Sequence, residues 1–428
     1  MQRHAIKKSL RVSFWDGVFA AAMTGLTAEY FTPYALALKA SVSQIGLLTA
    51  LPSLAGSFSQ LKSADITESV GSRRKVICFL VFLQALVLLP VVFVPHLFKN
   101  WAVGSLIVLV SLFNVFGAFS LPVWQSLMTD YLPYNKRGRY FGWRNKVLGG
   151  VTIISLFGAG MTLNFFKSNI LLGFLIIFSL ACLCRFICVY FLAQMYESRQ
   201  HLKKEAYFSF WDFLKRARES NFARFVIFNS AFIFCVYLAS PFFSVLMLKD
   251  LKFNYFTYTV LISTVSIAAI FTIDRWGRSA DRIGSIKVLR VSSLLIASLP
   301  FWWILNQHPV YLIFAQVLSG IAWAGFNLCS VNFIYDAVTP AKRTRCIAYF
   351  YFFNGLAICL GSFVGGLLAN RLPNVFGYRL FSLFFIAGTL RFIVALTLPR
   401  RIKEVRPVEK ISSKDLFLRI VGLRPNLE

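Results

Sequence analysis

Residues 170–194 read ILLGFLIIFSLACLCRFICVYFLAQ, and Arg185 is the one charged side chain among them. A hydrocarbon layer about 30 Å thick is crossed by about 20 apolar residues in helical form. Backbone N–H and C=O groups inside that layer must pair within the segment, so the run predicts a membrane helix. Barrel strands of about ten alternating residues do not fit so long an unbroken stretch. Working outward, further stretches of spanning length lie at 13–37, 43–63, 76–95, 101–129, 143–166, 222–248, 255–274, 287–305, 309–335, 346–370 and 376–399. The expected fold class is an all-α membrane protein with twelve transmembrane helices.

Composition agrees. Of 428 residues, 57% are hydrophobic and 14% charged, against about 45–50% and about 25% in soluble domains. Lys and Arg number 45 against 17 Asp and Glu, a net charge of +28. In a soluble protein that balance would point to nucleic acid. Here no separate basic domain has room to fold, and basic residues gather in the cytoplasmic loops of membrane proteins, so the partner is the bilayer and no nucleic acid is expected. Loop by loop, 36 basic residues fall on the side of the termini and seven on the other, with Arg185 and Arg391 inside spans. Both termini are therefore expected in the cytoplasm, in an inner or plasma membrane. The N-terminal apolar stretch runs to about residue 37, longer than a signal-peptide core, and reads as a retained first span. The eight Cys lie in or beside apolar runs as small hydrophobes.

The second half repeats the first. A shift of 206 lays Asp130, Lys136, Arg137, Arg139 and Gly149 on Asp336, Lys342, Arg343, Arg345 and Gly355, and Arg185-Phe186-Ile187 on Arg391-Phe392-Ile393. A shift of 213 lays Glu68, Gly71, Ser72 and Arg74 on Asp281, Gly284, Ser285 and Lys287, and a shift of 208 lays Pro33 on Pro241. The division this implies is a bundle of six helices over 1–194, a basic linker at 195–221, a second bundle over 222–399 and a basic tail at 400–428.

Two six-span halves joined by a basic loop resemble the major facilitator superfamily of secondary transporters. The most specific piece is Gly277-Arg-Ser-Ala-Asp281-Arg282-Ile-Gly284, which matches that family's cytoplasmic G-x-x-x-D-R-x-G signature; its N-terminal copy is degraded to Ala64, Glu68, Ser69 and Gly71, followed by Arg73 and Arg74, with Asp65 close enough to replace the acid. The resemblance implies a latch on the cytoplasmic side. Its gating candidates are Glu68, Gly71, Arg73, Gly277, Asp281, Arg282, Gly284, Asp130, Arg137, Arg139, Asp336 and Arg345. Physically, Gly permits a sharp turn, and an acid can face a helix N-terminus or pair with Arg. Topology-setting charges and helix caps are the plainer alternative.

Charges deep in the bilayer cost several kcal/mol and commonly line a cavity or ion path. Glu29 is the one acid well within a span, about 16 residues or some 24 Å along the first helix, followed by the helix-disturbing Pro33. Its repeat position is Tyr237, an asymmetry that favours a task in coupling or substrate binding over a structural hydrogen-bonded acid or an outer-interface residue. Arg185 and Arg391 lie roughly 12 to 14 Å from the ends of their spans; their duplication suits a shared structural task, and their chemistry suits carboxylates and phosphates. Among uncharged groups, Asn114, Trp124, Gln125, Asn229, Gln316, Trp323, Asn327 and Asn332 stand on the spans that line the cavity of the resembled fold, with Gln125 and Asn332 as substrate candidates. An amide at a packed helix interface can equally satisfy itself.

The expected function is secondary active transport of a small molecule by alternating access, with proton coupling through Glu29 as the more specific reading. No GxxxxGK[ST] run supports ATP-driven pumping, and His4, His96, His201 and His308 lie in tails or loops, which gives no basis for haem or a histidine metal site. No cofactor, no enzymatic reaction and a monomeric chain are expected. A polytopic enzyme acting on lipid, or a transporter-like receptor without flux, are the alternatives.

Overall fold

The computed structural model describes residues 2–129, 131, 134–197, 220–339, 343–374 and 377–405. Among them every regular element is helical. The principal helices are α1 (Gln2–Thr27), α2 (Phe31–Ala37), α3 (Val42–Val70), α4 (Arg73–Val92), α5 (Ala102–Thr129), α6 (Tyr134–Phe165) and α7 (Ile170–Ala193) in the first half. The second half contributes α8 (Asn221–Tyr237), α9 (Phe242–Val245) with a π-helical turn at Leu246–Asp250, α10 (Tyr255–Ile283), α11 (Ser285–Leu305), α12 (Pro309–Ala337), α13 (Arg343–Arg371) and α14 (Arg379–Thr397). Polar residues punctuate these helices where the chain leaves the apolar runs. Ser41 and Gln44 form a reciprocal capping box at the start of α3, and Ser72 accepts from the Lys75 backbone at the start of α4.

Ten helices of the described residues are long and apolar enough to cross a membrane, against the twelve stretches expected. The two that fall short are the first and second spans. Both are helical, but α1 carries Lys7, Lys8, Arg11 and Asp16 and stops at Thr27, while α3 is rich in Ser and ends through Lys62 and Glu68. Their mean hydropathy is diluted by these charged and hydroxyl groups, of which Lys7, Lys8, Arg11, Lys62 and Glu68 are exposed and Asp16 is buried. On the longer apolar helices, side chains such as Phe271 and Phe314, 77% and 66% exposed, form the exposed apolar surface expected to face lipid.

The chain divides into two compact units, Met1–Lys203 with Pro241–Thr259, and Lys204–Ser240 with Val260–Glu428. In the first unit α1 packs on α6 and α7, and α4 packs on α5 and α7. In the second unit α8 packs on α13 and α14, and α11 on α12 and α14. These are the same pairs of spans, offset by six, so the duplication in sequence is a duplication in packing. The core at one end of the first unit joins Val76, Ile77, Leu80 and Val81 of α4 to Val123, Leu127 and Met128 of α5 and Leu192 of α7. Without a water-driven hydrophobic term between helices in lipid, such close packing supplies the association.

Candidate functional site

Both spans that carry the paired prolines are interrupted. The first breaks at residues 28–30, between α1 and α2, and the seventh at 238–241, between α8 and α9. The cause is local: proline offers no N–H to the carbonyl four residues earlier, so Pro33 leaves the Glu29 carbonyl without its helical donor and Pro241 does the same at Tyr237. A carbonyl freed inside a membrane needs a replacement. For Glu29 it is the buried Tyr258, whose hydroxyl donates to the Glu29 carbonyl at 2.8 Å and lies 3.2 Å from the Ser244 hydroxyl. The neighbouring Tyr30 hydroxyl donates to the Leu156 carbonyl at 2.7 Å and so accepts from Thr259 Oγ1 at 2.9 Å. All of these residues belong to the first unit. The main chain at Glu29 is thus fixed, while its side chain is exposed, and no hydrogen bond or ion pair to a described residue engages the carboxylate.

At the break in the seventh span, carbonyls one and two residues before Tyr237 are met by Arg391, 2% exposed on α14. At the break Ala239 N bonds to Val236 O instead of Cys235 O. Arg391 fills the gap: its Nε donates to Cys235 O at 3.3 Å, Nη2 to Val236 O at 2.9 Å and Nη1 to Ile296 O at 3.5 Å. A cation is also favoured there by the negative end of the α8 dipole.

Arg185, the repeat partner of Arg391, behaves differently. It is 7% exposed on α7; its guanidinium meets the Cys188 thiol one turn along the same helix, and its Nε has no hydrogen-bond partner among the described residues. Asp16 of α1 lies near it, and Arg144 of α6 lies near Asp16; these two charges are 5% and 7% exposed. Apolar runs drawn from 13 and from 143 put both at the rim, so only helix packing reveals their burial.

Of the amide candidates, Asn229 Nδ2 donates to Asn354 Oδ1 at 2.6 Å and its Oδ1 accepts from Ser330 at 3.4 Å. Gln316 donates to the Leu261 carbonyl at 3.1 Å, and Asn114 turns back on the Val110 carbonyl of its own helix at 3.0 Å. These are packing amides. Gln125, exposed on α5, and Asn332, half-buried on α12, make no hydrogen bond to a described residue.

The signature loops carry the turn chemistry their glycines imply. Gly71 ends α3 with φ +69°, and Gly284 precedes α11 with φ +87°. Side chains with Cβ pay about 1 kcal/mol or more in this left-handed region. Gly284→Ala is accordingly expected to lower stability by about 1 kcal/mol, read as a fall in thermal midpoint of the purified protein. Gly277 has no such need, since an added Cβ would meet only Leu328 at 3.8 Å. Glu68 and Asp281 are exposed, Arg282, Asp336 and Arg345 are half-buried, Asp130 falls outside the described residues, and the side chains of Arg137 and Arg139 do as well.

Two acids missed in the sequence complete these loops. Glu197 accepts from the Arg73 backbone N–H at 2.7 Å and the Ser72 hydroxyl at 2.6 Å, with Arg73 Nε 3.7 Å away. Arg73 also donates to Ser126 O and Oγ, each at 3.2 Å. In the second unit Glu404 accepts from the Ile286 N–H at 2.8 Å. Arg73 and Ile286 are related by the loop shift of 213, so an acid following the sixth span and one following the twelfth cap equivalent helix starts. Their spacing of 207, one off the main register, was the available signal.

An "Uncharacterized transporter" of Buchnera aphidicola subsp. Schizaphis graminum is 22% identical over 213 residues, 47% of this chain and 51% of that protein. "Multidrug resistance protein 2" of Bacillus subtilis is 24% identical over 154 residues, 36% of this chain and 37% of that protein. The chain thus spans about half the length, or less, of these curated relatives. Solved structures of the same fold include a variant of the nucleoside transporter NupG, with TM-score 0.72, 15% identity and coverage of 92% of this chain and 100% of that one. Another is a D-xylose-proton symporter, with TM-score 0.70, 13% identity and coverage of 94% and 98%. The family profile described as Major Facilitator Superfamily matches residues 16–273 and 221–425, and this integral membrane protein belongs to that family.

Proposed function

We propose that the protein is a secondary active transporter that carries a small molecule across the membrane by alternating access, with proton movement through Glu29 as its coupling step. The observation that carries this reading is the exposed carboxylate of Glu29, without a partner among the described residues, on an interrupted helix whose interruption recurs in the second half. Interrupted spans are where transporters of this kind hold substrate and ions, because backbone leaves regular geometry only where protein or a cavity satisfies it. Gln125 and Asn332 serve as solute contacts in this scheme, and the signature loops gate the basic side. Residues 1–194 and 222–399 act as the two halves, 195–221 as the linker and 400–428 as the tail. The 36 to seven split of basic residues supports both termini in the cytoplasm.

The cargoes named for the proteins of similar fold, nucleosides and xylose, are the first solutes to screen, followed by carboxylated and phosphorylated metabolites. Binding hits on the purified protein go forward to sealed proteoliposomes with and without a proton gradient. Gradient-dependent accumulation is expected. A hit that binds without any flux would replace this reading with a receptor, and turnover of lipid in detergent, where no gradient exists, would replace it with an enzyme.

A further inference from the structure

Within the first unit, three helices bring a charged cluster together that the transport scheme does not use. Ser13 and Asp16 stand one turn apart on α1. Arg144 of α6 donates through Nη2 to the Ser13 carbonyl at 3.1 Å, and its guanidinium carbon lies 4.6 Å from the centre of the Trp124 ring on α5. It crosses α1 at Gly17, where an added Cβ would collide with the guanidinium. On α7, Cys188 sits one turn from Arg185 and donates its thiol to the Asp16 carbonyl at 3.4 Å. Asp16 feels the charges of both Arg185 and Arg144, yet its carboxylate has no ion-pair partner within 4.0 Å among the described residues. Nε of Arg144, Nε of Arg185 and Nε1 of Trp124 are buried without a hydrogen-bond partner among the described residues.

The charge count decides what this cluster wants. One carboxylate faces two guanidinium groups, leaving one positive charge uncompensated inside a lipid-embedded bundle, where such a charge is costly. A proton on Asp16 would raise the excess to two, so protonation aggravates the imbalance. Neutral water could satisfy donors but not charge. A single small anion does both, because guanidinium and indole N–H groups are donors without acceptor capacity. We infer that Arg144, Arg185 and Trp124 form a binding site for a small monovalent anion, with Asp16 limiting its capacity to one charge. A free halide and the carboxylate of a carried solute present the same chemistry to these donors.

The test uses the purified full-length protein and its thermal midpoint, titrated with sodium chloride, bromide, formate or acetate at constant ionic strength balanced by isethionate, a bulkier anion without a carboxylate. Ligand that binds only the folded state raises the midpoint with concentration. The wild type is expected to respond to at least one of these small anions, Arg185→Gln to weaken the apparent affinity at least tenfold, and Asp16→Asn to tighten it severalfold by removing the competing negative charge. A stronger response to chloride or bromide assigns the site to a free halide, and a stronger response to formate or acetate assigns it to a solute carboxylate. The inference is overturned if no small anion stabilises the wild type, if Arg185→Gln responds like the wild type, or if Asp16→Asn weakens the response. Because the readout is binding, its failure leaves the transport reading standing, and absence of flux leaves this site standing.

Discussion

In sealed vesicles with an imposed proton gradient, Glu29→Gln should accumulate solute at least tenfold less than the parent chain while retaining exchange of labelled for unlabelled solute across the same membrane. The two halves of that outcome have separate causes. Exchange needs only that the loaded carrier reorient, and the amide of Gln preserves the size and hydrogen-bonding reach of the carboxyl group. Net uphill movement needs a group that changes charge during the cycle, and Gln cannot. Ionisable side chains at this depth are retained at a cost of several kcal/mol, and Glu29 has no described partner to explain that cost structurally. Its main chain is held by Tyr258 at 2.8 Å, which the substitution leaves in place, so loss of folding is not an expected cause of failure. Undiminished accumulation by Glu29→Gln, measured alongside exchange, would remove the acid from the coupling scheme.

The second large effect separates two arginines that sequence makes look equivalent. Arg391→Met is expected to destabilise the purified protein by about 3 kcal/mol, since it withdraws charge-assisted hydrogen bonds worth roughly 1.5–3 kcal/mol each from three carbonyls, less the relief of no longer burying a cation. The carbonyls of Cys235 and Val236 lie at the end of an interrupted helix, where no other described donor replaces the guanidinium at Cys235. Arg185→Met should cost far less in an anion-free buffer, because Arg185 gives up only a weak contact with the Cys188 thiol, its Nε has no described partner, and the cluster loses its excess charge. Thermal unfolding of the two variants side by side checks this. Equal losses would mean that the three carbonyl bonds of Arg391 carry no net weight.

The twelve apolar runs, the duplication and the turn glycines could be read from sequence because each depends on local chemistry: hydropathy over a helix length, charge at fixed offsets, φ at one residue. Pro33 and Pro241 marked both helix breaks for the same reason. What replaced the lost hydrogen bonds could not be read, since Tyr258 and Arg391 come from 229 and about 155 positions away in sequence. Arg-Phe-Ile occurs identically at 185–187 and 391–393, yet one arginine binds carbonyls and the other sits among charges, because their surroundings come from other helices. Asp16 and Arg144 were hidden by their place at the margins of apolar runs, where a side chain can face water or turn inward with no change in pattern. Glu197 and Glu404 stood in polar connections that offered no hydropathy signal, and only their repeat spacing marked them.

The contact between Tyr258 and the Glu29 carbonyl has a consequence for biogenesis. During translation the first membrane segment emerges more than two hundred residues ahead of the phenol that completes its kinked backbone. Until the ribosome has made the beginning of the eighth segment, the amino-terminal unit is topologically inserted but chemically unfinished, with an acceptor waiting at its bend. Maturation of that unit is therefore tied to synthesis of its successor, so the duplicated halves cannot finish folding as independent cassettes.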